Sequence, residues 1–335
     1  MNNTSHKIRA AITSAGHYVP ETVVTNSDLE KIVETNDEWI KSRTGISERR
    51  ILSNGEPMSF MAVKAIEMLL KRRGITADEL DLIIVGTVTP DMLFPSTACV
   101  IQEKIGASKA WGFDVLAACS GFIFSLATGI QFIESGNFKK VLVVGADKMS
   151  AITNYKDRNT CILFGDGAGC VLLEPSEDGV HGITDSILHI DGAGGKYLNM
   201  LGGGSLNPPS HTTVDNDWHY VYQEGKTVFK VAVKGMAEVS FEIMEKNNLK
   251  SEDIAYLVPH QANYRILSSC AERMGLSMDK VMVNIHKYGN TTAATIPLCL
   301  SEYWEEGKIK KGDNLILSSF GAGYTWGAIL VKWAY

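Results

Sequence analysis

No run of about 18 apolar residues, the length needed to cross a bilayer, occurs in this sequence, so a transmembrane anchor is not expected. Met1–His6 has no apolar core of the kind a secretory signal carries, and a cytosolic protein is expected. Basic charge is in deficit: 32 Lys and Arg against 38 Asp and Glu leave a net charge of −6, which argues against duplex nucleic acid as the main partner. Proline is scarce, with 9 residues against 31 glycines. The six cysteines (Cys99, Cys119, Cys161, Cys170, Cys270, Cys299) form no Cys-x-x-Cys pair and have no histidine at metal-ligand spacing. Neither a disulfide framework nor a structural metal is expected, and most of these cysteines read as small buried hydrophobes.

What the chain does have is 45% hydrophobic residues over 335 positions, enough for a substantial core and about two domains' length. Apolar, β-branched runs at Ile83–Val85, Val141–Val144, Cys170–Leu173, Tyr256–Val258 and Leu315–Leu317 read as buried strands. Helical patterns such as Phe60–Lys71 and Val231–Lys246 lie between them. Strands apolar throughout, not on alternate residues, are covered on both faces, which predicts an α/β protein.

The chain also repeats itself. Residues 75–85 resemble 249–259, and IQEKIG ending at Gly106 resembles CAERMG ending at Gly275. Phe113–Val115 matches Val283–Ile285, and ESGNFKK at 134–140 matches EEGKIKK at 305–311. The offsets, 174, 169, 170 and 171, stay in order and drift by only a few residues, as a duplicated α/β unit requires. Halves at 1–174 and 175–335 are expected, with a Gly/Pro/Asn-rich insert at about 196–222.

The duplication gives three residues related positions. Cys119 follows one predicted strand, Asn290 occupies the corresponding loop of the second half, and His260 directly follows the strand ending at Pro259. Strand ends are where α/β folds gather their chemistry. Cys119 also precedes the apolar-periodic stretch Phe122–Ile133, and a helix N-terminus there would favour a thiolate. Taken singly, Cys119 is equally a buried residue of a tight turn, His260 a satisfied loop histidine and Asn290 a helix cap. It is the conjunction that points to a nucleophile with two hydrogen-bond donors.

The sequence resembles the β-ketoacyl-acyl-carrier-protein synthase III family of thiolase-fold condensing enzymes over nearly its whole length. The resemblance is carried by DEWIKSRTGI (37–46), FPSTAC (94–99), ACSGF (118–122), DRNT (157–160), LFGDGAG (163–169), VPHQAN (258–263), YGNTT (288–292) and FGAGYTWG (320–327). It implies two duplicated βαβαβαββ halves packed as α-β-α-β-α layers, the first carrying Cys119 and the second His260 and Asn290. Elongating relatives use Cys-His-His, so Asn290 marks the branch.

The implied reaction starts fatty acid synthesis. Cys119 takes the acyl group of a short acyl-CoA, malonyl-acyl carrier protein decarboxylates with His260 and Asn290 as donors, and the carbanion attacks the acyl-enzyme. No cofactor beyond the coenzyme A thioester substrate is implied, and no metal. The resemblance further implies an oxyanion hole from the backbone N–H groups of Cys119 and Ala322. Trp39 and Arg158 match an adenine clamp, Arg43 a phosphate contact and Asn263 a pantetheine contact. Phe94 matches a tunnel-end aromatic donated by the partner of a homodimer. Arg265, with Lys226, Lys230 and Lys234 at one-turn spacing, would form a basic landing site for acidic carrier protein. Alternatives are a thiolase-fold acyltransferase of alkylquinolone or polyketide assembly, and a silent paralogue that binds acyl carriers. Lys71-Arg72-Arg73 reads as solvated surface, Gly165–Gly169 as a tight turn near the site and not a phosphate loop, and Gly202–Gly204 as a loop.

Overall fold

The computed structural model describes residues 8–335; the reading of Met1–His6 as lacking a leader lies outside the described residues. The first sheet is built from β1 (Ala10–Tyr18), β2 (Leu82–Gly86), β3 (Trp111–Val115), β4 (Val141–Lys148) and β5 (Asp166–Pro175). The second is built from β6 (Gly182–Ile190), β7 (Ile254–Pro259), β8 (Asn314–Gly321) and β9 (Thr325–Lys332). The main helices are α1 (Asp37–Thr44), α2 (Met58–Arg73), α3 (Thr97–Ile105), α4 (Gly121–Glu134), α5 (Gly225–Lys246), α6 (Tyr264–Met274) and α7 (Thr295–Glu305).

The sheets run in the orders β1-β5-β4-β2-β3 and β6-β9-β8-β7. Each has a parallel pair (β2 with β4, β7 with β8) continued by antiparallel neighbours. The second sheet therefore repeats the first minus one edge strand. Where β3 has its counterpart, only a single parallel bridge between Val281 and Leu257 remains.

Burial explains the continuous apolar strands. Leu82, Ile84, Val141, Val143, Leu315 and Leu317 face a central core shared with Phe122, Leu126 and Ile130 of α4 and Ile296, Cys299 and Leu300 of α7. The intervening Ile83, Val85, Leu142 and Val144 face α2 and α3, while Ile316 faces α5 and α6. The result is the expected five layers, with α4 and α7 as the middle one. Helix stops follow the chemistry of the chain, with Gly74, Gly106 and Gly275 in the left-handed region after α2, α3 and α6.

Three expectations are corrected. Gly165–Gly169 is no turn: residues 166–169 open β5, and a Cβ on Gly169 would meet Leu298 N at 2.7 Å, so the absent side chains let α7 lie against the strand. Cys99 is exposed, because it sits on the outer face of the first turn of α3. Arg72 and Arg73 are half-buried and engaged, Arg72 with the Ala15 carbonyl at 2.9 Å and Arg73 with Glu174 at 2.7 Å. The insert carries a five-residue helix, His211–Asp215, and is stitched to the body where Val221 N–H donates to the Ile152 carbonyl at 2.8 Å.

Candidate active site

Cys119 lies in the turn that leads from β3 into α4. Ala118 before it has φ +47°, an uncommon conformation for a non-glycine residue. That turn is fastened to the one between β8 and β9. The Ser120 hydroxyl donates to the Thr325 carbonyl at 3.0 Å, and the Thr325 hydroxyl lies 3.0 Å from the Ala117 carbonyl and 3.1 Å from that of Ala322. A Cβ on Gly321 would sit 2.8 Å from Cys119 N, so glycine is what allows the two turns this approach. Ala322 keeps its φ outside the left-handed region, as an alanine should.

The thiol departs from the expectation of a thiolate. Burial, reinforced by the negative charge of Asp147, pushes Cys119 up to about 12, against the opposing pull of its own N–H and the Asn290 side chain. Cys119 therefore rests as a thiol; desolvation outweighs the helix N-terminus.

His260 is buried at the end of β7, its N–H donating to the Ser318 carbonyl at 2.8 Å. Desolvation alone pulls its imidazole down to about 3, so it is neutral at working pH. Its Nδ1 lies 2.8 Å from the Thr295 hydroxyl. Gln261, fully buried beside it, ties this turn to the next: its amide NH2 donates to the carbonyls of Pro259 and Met282, and its Oε1 accepts from Asn284 and Ile285 N–H at 3.2 Å.

Asn290 is pinned on both sides of its backbone by the segment 163–165, donating to the Leu163 carbonyl at 2.9 Å and accepting from Gly165 N–H at 3.1 Å. Its Oδ1 accepts from Thr292 N–H at 2.8 Å, and its side chain helps to hold the Cys119 thiol down. The fold thus packs the Cys119 turn against the turn that follows Asn290. Thr292 has φ +51°, and its hydroxyl donates to the buried Asp147 carboxylate. Sequence reasoning missed Asp147, Gln261, Thr292 and Thr295. For Asp147 the available signal was a lone carboxylate ending the apolar run Val141–Ala146.

The outer residues form two groups. The guanidiniums of Arg43 and Arg158 stand 4.8 and 4.9 Å from the centre of the Trp39 ring. Asn263 caps α6 through Arg265 N–H at 2.9 Å, and its NH2 donates to the Arg43 carbonyl at 2.9 Å, leaving one amide hydrogen free for a ligand. Arg265 donates to the Ser42 carbonyl at 3.0 Å, which places it beside the Trp39 cluster. Lys226, Lys230 and Lys234 are exposed along one face of α5. Phe94 points outward, 84% exposed, as do Leu93 at 80% and Leu116 at 81%. Among the described residues, no group of three or more His, Cys, Asp or Glu could hold a metal ion, and no helix is long and apolar enough to cross a membrane.

Two duplicated α/β halves, with Cys119 in one and His260 and Asn290 in the other, are the arrangement of a thiolase-fold condensing enzyme. The chain belongs to the β-ketoacyl-acyl-carrier-protein synthase III family. Models of that family, 3-oxoacyl-[acyl-carrier-protein] synthase III and its C-terminal part, match residues 113–192 and 244–333. The Chlorobaculum tepidum β-ketoacyl-[acyl-carrier-protein] synthase III is 58% identical over 97% of this chain and 100% of its own, and that of Koribacter versatilis is 55% identical over 98% of each. The crystal structure of the Aquifex aeolicus 3-oxoacyl-[acyl-carrier-protein] synthase III superposes with a TM-score of 0.89 at 44% identity, covering 97% of this chain and all of that one. A priming β-ketosynthase of the R1128 polyketide pathway matches at TM-score 0.89 and 31% identity, covering 98% of both chains.

Proposed function

We propose that this chain starts fatty acid synthesis by joining a short acyl-CoA to malonyl-acyl carrier protein, with Cys119 as nucleophile and His260 and Asn290 as oxyanion donors. The observation that carries this reading is the packing of the Cys119 turn against the turn that follows Asn290, where a Cβ on Gly121 would lie 3.4 Å from the Ala293 Cβ, across the two halves. In the first step Cys119 Sγ attacks the acyl-CoA carbonyl, the CoA–acyl bond breaks, and the thiol proton ends on the departing CoA sulfur. The N–H groups of Cys119 and Ala322 hold the oxyanion of that step.

In the second step malonyl-acyl carrier protein loses CO2, and negative charge moves onto its thioester oxygen. This step needs donors, not a base. Asn290 offers its NH2, since Thr292 N–H already occupies its Oδ1. The neutral His260 donates through Nε2–H in the tautomer whose Nδ1 accepts the Thr295 hydroxyl proton, which turns that proton away from the Thr292 carbonyl, the hydroxyl's other partner at 3.0 Å. Each such donor is worth about 3 kcal/mol in the transition state. The carbanion then attacks the acyl-enzyme, and the 3-oxoacyl carrier protein leaves as Cys119 regains its proton.

We assign Trp39 and Arg158 to the adenine of CoA, Arg43 to its phosphates and Asn263 to the pantetheine arm. Lys226, Lys230, Lys234 and Arg265 are assigned to carrier-protein docking, which acidic carriers require of an enzyme that is itself acidic. The exposed apolar side chains of Leu93, Phe94 and Leu116 support a homodimer in which Phe94 enters the partner's acyl tunnel. We divide the halves at 174–175 and place the reaction in the cytoplasm, where acyl-CoA and carrier protein occur. Primary metabolism is favoured over a polyketide role because identity to the synthase III relatives reaches 58%, against 31% to the polyketide priming enzyme.

The test is a pair of half-reactions. Cys119→Ala should abolish acyl-enzyme formation, read as intact mass after exposure to mixed short acyl-CoAs. Asn290→Ala and His260→Ala should cut malonyl decarboxylation by about 10²–10³-fold while sparing acylation. Equal loss of both half-reactions would overturn the assignment of roles.

A further inference from the structure

One buried carboxylate is left unused by that mechanism. Asp147, at the end of β4, is 0% exposed, and among the described residues no basic side chain is hydrogen-bonded to it. Six donors surround it. Its Oδ1 accepts from the Thr87 hydroxyl at 2.9 Å, Val88 N–H at 2.8 Å, the Thr89 hydroxyl at 2.8 Å and Thr89 N–H at 3.2 Å. Its Oδ2 accepts from the Thr292 hydroxyl and from Ala293 N–H at 3.2 Å.

The two oxygens therefore face different halves of the molecule. Oδ1 gathers the segment that follows β2; Oδ2 holds the turn that follows Asn290. Thr292 is the hinge of the second contact, with its hydroxyl on Asp147 and its N–H on Asn290 Oδ1. Two further features let this turn settle on the end of β4. Gly145 has no side chain, and a Cβ there would lie 2.2 Å from the Ala293 carbonyl oxygen. The positive φ of Thr292 is a conformation that a threonine holds only when its surroundings fix it.

We infer that Asp147 is a positioning residue for decarboxylation: its carboxylate fixes the Thr292–Ala293 turn so that Asn290 presents its NH2, and not its carbonyl oxygen, to the reacting thioester. A free amide turned by 180° would offer an acceptor to a developing anion and lose the donor altogether. This inference rests on the role proposed above for Asn290.

The replacement Asp147→Asn keeps the shape. With the amide oxygen toward residues 87–89, its NH2 can be met only by a reversed Thr292 hydroxyl and faces Ala293 N–H, donor against donor, so the hold on the turn is weakened. Malonyl decarboxylation, followed as CO2 release from malonyl-acyl carrier protein, should fall by about 10²-fold, as for a lost oxyanion donor. Formation of the acyl-enzyme from a short acyl-CoA should change by less than about tenfold, since that step uses backbone donors near Cys119.

Because Asp147 acts through Asn290, the double variant Asp147→Asn/Asn290→Ala should decarboxylate no more slowly than Asn290→Ala alone. A residue holding only the general structure would add its own loss. Should Asp147→Asn fail to fold, Thr292→Ala removes one contact, and Thr292→Ser should restore the rate by returning the hydroxyl. Normal decarboxylation by Asp147→Asn and Thr292→Ala beside an impaired Asn290→Ala would overturn this inference alone, as would further loss in the double variant. Normal decarboxylation by Asn290→Ala would instead overturn the reading on which it rests.

Discussion

The depressed basicity of His260 has a consequence for both stability and rate. Its imidazole titrates near 3 in the folded protein, against 6.5 in an unfolded chain, because burial disfavours the cation. A base whose folded pKa is lowered contributes no penalty above 6.5. As pH falls below 6.5 the unfolded chain gains a proton that the folded one refuses, and stability is lost until the folded pKa is reached. At pH 5 the gap is about 1.5 pH units, or about 2 kcal/mol at 1.36 kcal/mol per unit. Urea denaturation at pH 8 and pH 5, for wild type and His260→Asn, isolates this contribution: the wild type should lose about 2 kcal/mol more than the variant. The same property predicts a flat rate of malonyl decarboxylation at saturating substrate between pH 5.5 and about 8, since the imidazole stays neutral throughout. Equal stability losses in the two proteins, or a decarboxylation midpoint near 6.5, would refute a neutral buried donor.

Other expectations concern the rest of the site. Cys119 should react slowly with iodoacetamide at pH 7.5 and steadily faster up to pH 10, because its thiol sits near 12; a plateau below pH 8 would contradict an enclosed thiol. Trp39→Ala should raise KM for acyl-CoA by about tenfold or more with kcat retained, the loss of one base-stacking platform. Charge reversal of Lys230 and Lys234 should raise KM for malonyl-acyl carrier protein and leave acylation by acyl-CoA unchanged, an effect that weakens as salt is added. Phe94→Asp should shift the protein to monomer in sedimentation, since a charge replaces an 84% exposed aromatic ring.

The candidate site residues were legible because the duplication is legible. Cys119 and Asn290 fall at equivalent points of the repeat, and β2, β4 and β8 read as buried strands because both of their faces are covered. Strand β6 did not stand out. It lies at the sheet edge, and its sequence GITDSILHI alternates exposure after Ile183, so no continuous apolar run marks it. The repeat also overstated the second sheet, since Val283–Ile285 resembles Phe113–Val115 while only Val281 keeps a bridge to β7. The glycines at 165–169 read as a turn because local propensity cannot register a helix lying across them. Asp147, Thr292 and Thr295 escaped notice for a related reason: they are linked only after distant segments meet, and no spacing along the chain encodes that meeting.

Cys119, the proposed nucleophile, stands at the head of α4, His260 and Asn290, the proposed donors, flank the head of α7, and these two helices are the middle layer of the molecule. Catalytic geometry is thus a reading of how two packed helices sit against one another. A cavity opened between them, for instance by Leu126→Ala or Leu300→Ala, would loosen the spacing of sulfur and amide before it melted either sheet. Heat should act in the same order: condensing activity fades over a range of temperature in which the outer layers still hold their secondary structure. The enzyme would then serve as its own thermometer for the centre of the fold.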